Sequence, residues 1–155
     1  MSAEAQFLDR LALRQLVEDY ARGCDRRQPV AVAGLFTEDG RLIRHREGAE
    51  AEPPASDTRG RAAIAELIDG LARYEVTTHF LGQQSLTLDG DTAQGETYCL
   101  AHHVYGREGE RRNRVMSIRY LDRYRREEPG WRFAERRLAV DWVEDRPLRP
   151  NRDQR

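Results

Sequence analysis

The side chains best suited to moving protons are a histidine in an apolar strand and an aspartate at a helix end. His79 sits in TTHFLGQ (77–83), between threonines and a Phe-Leu pair. A half-buried strand ordinarily carries an apolar or β-branched residue there. Imidazole, with an unperturbed pKa of about 6.5, exchanges protons near neutrality. His79 is therefore either a core histidine with a satisfied hydrogen bond or a general acid–base. Asp25 follows Cys24 at the end of the first helical stretch. The macrodipole opposes a carboxylate there by roughly 0.3–1 kcal/mol. Asp25 thus calls for a cationic partner or a raised proton affinity; Arg26 and Arg27 are the nearest cations in sequence. His102 and His103 are adjacent, so on a strand they point oppositely and at most one shares a pocket with His79.

The elements that must position these groups can be read from periodicity. Leu13, Leu16, Val17, Tyr20, Ala21 and Cys24 recur at helical spacing, predicting a helix over 5–24 whose end Gly23 loosens. Pro29 suits the first turn of a short second helix. A strand is expected at 40–45. A polar stretch with no period follows (46–59), a loop of the kind that often acts as a lid. Ile64, Leu67, Ile68, Leu71 and Ala72 mark a third helix at 61–74. Strands then follow at 76–88, 92–105, 113–125 and 131–144, separated by turns such as Asp89-Gly90-Asp91. Helices first and an antiparallel meander after them predict an α+β fold, with the helices on a curved sheet that encloses a pocket. One domain over 1–145 and a tail over 146–155 account for the chain.

Strict alternation sorts the strand residues. Thr77, His79, Leu81 and Gln83 share a face, opposite Thr78, Phe80, Leu86 and Leu88. Thr97, Cys99, Ala101, His103 and Tyr105 share another, as do Met116, Ile118, Tyr120 and Tyr124. Arg136, Leu138, Val140 and Trp142 share the last.

Composition narrows the function classes. Lys and Arg (26) nearly balance Asp and Glu (27), for a net charge of -1, without the basic excess of a nucleic-acid binder. Two cysteines make no disulfide framework. No stretch reaches the ~18 apolar residues of a membrane span, and the N-terminus lacks a signal-peptide pattern, so the cytoplasm is expected.

The stretch LALRQLVEDYARGCDRRQPVAVAGLFTEDGRL resembles the opening of the SnoaL-like branch of the nuclear-transport-factor-2-like superfamily. TTHFLGQ and WRFAERRLAVDW are similar to segments of scytalone dehydratase. The resemblance covers about residues 7–145. It implies a cone of three helices over a mostly antiparallel sheet, in a group of dehydratases, isomerases, polyketide cyclases and non-enzymatic members. It puts Asp25 and His79 on the dyad positions and a second histidine on the AHH stretch. There His103 is favoured, since it shares a face with Cys99 and Ala101. Where scytalone dehydratase has two tyrosines and an asparagine, this sequence has Cys24, Arg44 and Tyr120. Similar acid–base chemistry on a different substrate is the implication.

In that reading His79 is the general base or acid, Asp25 holds its tautomer, and His103, Tyr120 or Tyr105 donates to an oxygen. Tyr20, Cys24, Arg44, Cys99, His102, Tyr105, Met116, Ile118, Tyr120, Leu138 and Trp142 are the expected substrate-lining residues. No cofactor and no metal are expected. The partners expected are a hydrophobic oxygenated small molecule and a second or third copy of the chain. The alternatives are an isomerase or cyclase using the same dyad, a metal site on His79, His103 and Asp25, and a non-catalytic binding or dimerisation module.

Overall fold

A computed structural model describes residues 2–149. Helix α1 (Ala3–Asp25) starts at Ser2, whose hydroxyl accepts the Ala5 amide at 3.1 Å, satisfying a helix-end donor. The predicted apolar stripe is buried along its length. Arg27, at a φ of 56°, turns the chain into α2 (Pro29–Gly34). Gly23 is the point of close approach between these helices. A Cβ there would lie 2.5 Å from Val32 Cγ2, so this glycine serves packing rather than a loose end.

Strand β1 (Phe36–Arg44) begins earlier than the expected 40–45, because Phe36 already pairs with Phe133. The stretch read as one loop contains β2 (Ser56–Arg59), paired antiparallel with β1. Helix α3 (Arg61–Asp69) gives way to a 3-10 turn over Gly70–Arg73, where a longer helix was expected. The meander is β3 (Val76–Asp89), β4 (Thr92–Arg107), β5 (Glu110–Glu127) and β6 (Gly130–Pro147). β1 joins β6 in parallel, giving the order β2-β1-β6-β5-β4-β3. The fold is the expected α+β architecture, with the helices on a curved, mostly antiparallel sheet that stays unclosed.

Two irregularities overturn strict alternation. A register shift between Leu81 and Gln84 in β3 swaps sides beyond it. Leu86 and Leu88 consequently pack on the core, while Gln83 is exposed. In β6, Ser117 opposes Trp142 but Ile118 opposes Val140, leaving Asp141 as the extra residue. One inserted residue rotates everything after it to the other face. Trp142 therefore leaves the pocket face and is 44% exposed on the outer one.

The 46–55 segment is no lid over the inner face. Glu50 accepts from Arg119 at 2.7 Å and Glu47 from the Val143 amide at 3.1 Å, both toward the outer side of β5 and β6. Helix α1 lies along the free edge of β3. Arg10 donates to the Leu86 carbonyl at 3.0 Å and Arg14 to that of Gly82 at 3.0 Å, and Asp25 accepts the His79 amide at 2.9 Å. The expected tail starts later than 146, since β6 runs to Pro147 and the Leu148 amide donates to the Arg111 carbonyl at 2.8 Å. Its residues 150–155 lie outside those described. Among the described residues no helix is long and apolar enough to cross a membrane.

Candidate active site

The last residue of α1 and the fourth of β3 touch. Asp25 Oδ1 lies 2.7 Å from His79 Nδ1, and Asp25 Oδ2 accepts the His79 amide at 2.9 Å. Thr77 Oγ1 donates a third bond to Oδ1 at 3.0 Å. Arg27 fixes that direction: its guanidinium, which only donates, bonds Thr77 Oγ1 at 2.7 Å, so the threonine proton goes to Asp25. Arg27 also holds the Cys24 and Tyr74 carbonyls at 2.9 and 3.2 Å. The partner of Asp25 is thus a histidine, and Arg27 acts one bond away. Burial raises the Asp25 proton affinity, but the bonds from the His79 ring, the His79 amide and Thr77 outweigh it and hold the carboxyl below its usual range. A raised affinity, one of the two expectations for this position, is not what the site produces. An ionised carboxylate only accepts, so Nδ1 carries a proton, and in the neutral ring Nε2 is the acceptor.

His79 also lines a cavity of ≈ 230 Å³ between the sheet and the helices. Its floor includes Tyr20, Cys24, Met116, Ile118, Tyr120 and Leu138. Leu67, Ile68, Leu71 and Tyr74 also line it, and the exposed Arg44 and Arg73 mark its mouth. His103 lines it too, with its ring centroid 5.7 Å from that of His79 and 4.6 Å from that of Tyr74. Burial, then the neighbouring His79, pushes the His103 pKa down to about 4. His103 is therefore a neutral ring at pH 7, able to hydrogen-bond but not to carry charge.

These features sit in a frame with known relatives. The SnoaL-like domain family matches residues 5–137. The chain belongs to this family. It falls within the NTF2-like superfamily. An uncharacterized protein of Mycobacterium tuberculosis is 29% identical over 137 residues, 88% of either chain. An NTF2-like protein with a cystatin-like fold from Novosphingobium aromaticivorans is 30% identical, with a TM-score of 0.68, over 89% of this chain and 86% of that one. A proposed scytalone dehydratase from the same organism shares the fold at a TM-score of 0.80, with 21% identity over 96% and 94% of the two chains.

Within this SnoaL-like frame, several expected lining residues lie elsewhere. His102 is on the opposite face, its Nδ1 3.0 Å from Asn113 Nδ2. Tyr105 sits toward the sheet end and donates to Asp145. Cys99 is buried in the core beside the cavity rather than on its wall. Burial pushes the Cys24 thiol up to about 12 and that of Cys99 up to about 11, so both are neutral packing groups. Tyr20 and Tyr120 are held well above the usual phenol range by burial and stay protonated.

Other site residues were not foreseen. Leu67, Ile68 and Leu71 belong to a stripe that was legible, but nothing local said it faced a cavity. Arg136 lies beneath the floor, wholly buried, bonded to Asp122 at 2.9 and 2.8 Å. The rings of Tyr20, Tyr120 and Phe133 stand 4.0–4.2 Å from its guanidinium. Among the described residues no group of three or more His, Cys, Asp or Glu side chains is placed to hold a metal ion.

Proposed function

We propose that the chain is a cofactor-independent lyase, a dehydratase acting on a hydrophobic oxygenated small molecule through Asp25 and His79. The observation that carries this reading is the 2.7 Å contact of Asp25 with His79 Nδ1 at the wall of the cavity. His79 Nε2 takes a proton from a carbon beside a carbonyl. Asp25 stabilises the imidazolium that forms. The C–H electron pair becomes the new C=C bond, and the C–O bond to the β-hydroxyl breaks. The imidazolium returns its proton to the leaving oxygen, which departs as water. The neutral His103 and the phenol of Tyr120 are donors on the wall that could serve the carbonyl oxygen. The apolar side chains of the floor, Met116, Ile118 and Leu138, support a substrate with a hydrophobic body, and the likeness in fold to a proposed scytalone dehydratase is compatible with elimination. Assembly of two or three copies belongs to the same proposal. Phe80, Leu100 and Trp142 lie in one cross-strand row of the outer face, at 68%, 38% and 44% exposure.

His79→Ala and Asp25→Asn test the chemistry on a panel of β-hydroxy ketones. Loss of general acid–base catalysis costs roughly 10²–10⁴ in turnover. Folded variants that keep wild-type turnover would overturn the proposal.

A further inference from the structure

The cavity wall holds two cations, Arg44 and Arg73, and no Asp or Glu. Other arginines of the sheet are matched to carboxylates. Arg41, Arg112 and Arg125 each bridge two carboxylates, and Arg119 reaches three. Arg44 uses only its Nε, on Ser56 Oγ at 3.0 Å. Arg73 reaches only the Tyr74 hydroxyl, at 3.2 Å, with its guanidinium 4.8 Å from the Tyr74 ring centre. Neither meets a carboxylate within 4.0 Å among the described residues. Unpaired arginines on an open surface are solvated and need no explanation. Two facing one concavity raise its potential and concentrate anions there.

A second polar group of the wall stands beside the catalytic candidate. His103 is 3% exposed and lines the cavity, with its ring against those of Tyr74 and His79. Contacts run in a line from Arg73 to Tyr74, from Tyr74 to His103 at 4.6 Å, and from His103 to His79 at 5.7 Å. The Asp25 charge lies behind His79 and is absorbed by three hydrogen bonds, so it does little to repel an anion.

We infer that the cavity takes an organic acid, its carboxylate held at the mouth by Arg44 and Arg73 and its hydrophobic body directed toward His79. Guanidinium matches the planar, two-oxygen geometry of a carboxylate. The ≈ 230 Å³ volume lies below the roughly 300–1,000 Å³ of drug-sized sites, so a single-ring acid is the fitting size. Only the placement of the reacting carbon rests on the proposed dehydration; the charge preference does not.

Benzoate and its neutral isostere benzamide are the probes. Each is titrated while the ring protons of His79 and His103 are followed by NMR. Benzoate is expected to shift both histidines and to bind about tenfold tighter than benzamide, a difference of about 1.4 kcal/mol. Added salt weakens benzoate alone. Arg44→Gln/Arg73→Gln erases the preference while the fold, read by circular dichroism, is kept. His79→Ala retains the preference, monitored at His103, which separates this inference from the dehydratase reading. Equal binding of the two probes, no histidine shift with benzoate, or a preference that survives the double substitution would each overturn it.

Discussion

Two aspartates meet two bases around the same cavity, and they do opposite work. Asp122 grips Arg136 in complete burial, beneath the tyrosines of the floor. Asp25 grips His79 where the ring still reaches the cavity. Arginine keeps its proton at any accessible pH. Burial disfavours the Arg136 charge, yet Asp122 holds its proton affinity above the ordinary value. That pair stores a fixed charge. Imidazole, unlike guanidinium, is a side chain that can both give and take a proton, so the other pair is the one suited to the proposed chemistry. The lesson is that contact distance alone does not mark a reactive pair; the base must be able to change state and must face open space.

Breaking the buried pair should give the largest effect. Arg136→Met leaves the buried Asp122 without its cationic partner, and about 3–5 kcal/mol of stability should be lost. Denaturant melts of this variant and of Asp122→Asn/Arg136→Met would measure it. The double variant should recover most of the loss. His79→Ala should melt much closer to wild type while losing turnover. If the two single variants lost equal stability, the contrast between the pairs would collapse.

The next effect is a pH slope from His103. Its folded pKa of about 4 lies below the usual 6.5. Between those values the unfolded chain holds a proton that the folded chain does not, so stability falls as pH falls from 6.5 to 4. The loss is about 3 kcal/mol at most. Melting His103→Gln across the same range should give a flatter curve, and an unchanged slope would remove His103 as its source.

The smallest effect on folding belongs to the outer face. Trp142→Ala should change monomer stability by about 0.5 kcal/mol or less. It should still lower the mass seen in sedimentation if copies meet on that face.

Much of this arrangement could be read in the chain. The stripe of α1, the Pro29 start of α2 and the Asp-Gly turn after β3 are local signals, and each formed as expected. So did the juxtaposition of Asp25 and His79, which the family resemblance named and alternation alone could not. What failed was long-range or one residue wide. The irregularity near Gly82 and the extra Asp141 reverse a face without any distinctive residue pattern, which is why Gln83 and Trp142 were placed wrongly. Asp122 and Arg136 sit among many surface charges of the same types, and only tertiary packing distinguishes them. Choosing between His102 and His103 needed the identity of the inner face, which small neighbours such as Ala101 indicated.

The placement of α1 along β3 has one more consequence. An exposed strand edge is a template on which another chain can add, and natural proteins blunt it. Here the blunting comes from a helix, through Arg10 and Arg14 on two carbonyls and Asp25 on the His79 amide. The residue proposed to tune the base is thus also a guard against misassembly. Asp25→Ala would leave that backbone donor unpaired on a sheet border, so aggregation and loss of the proposed chemistry would share a single origin.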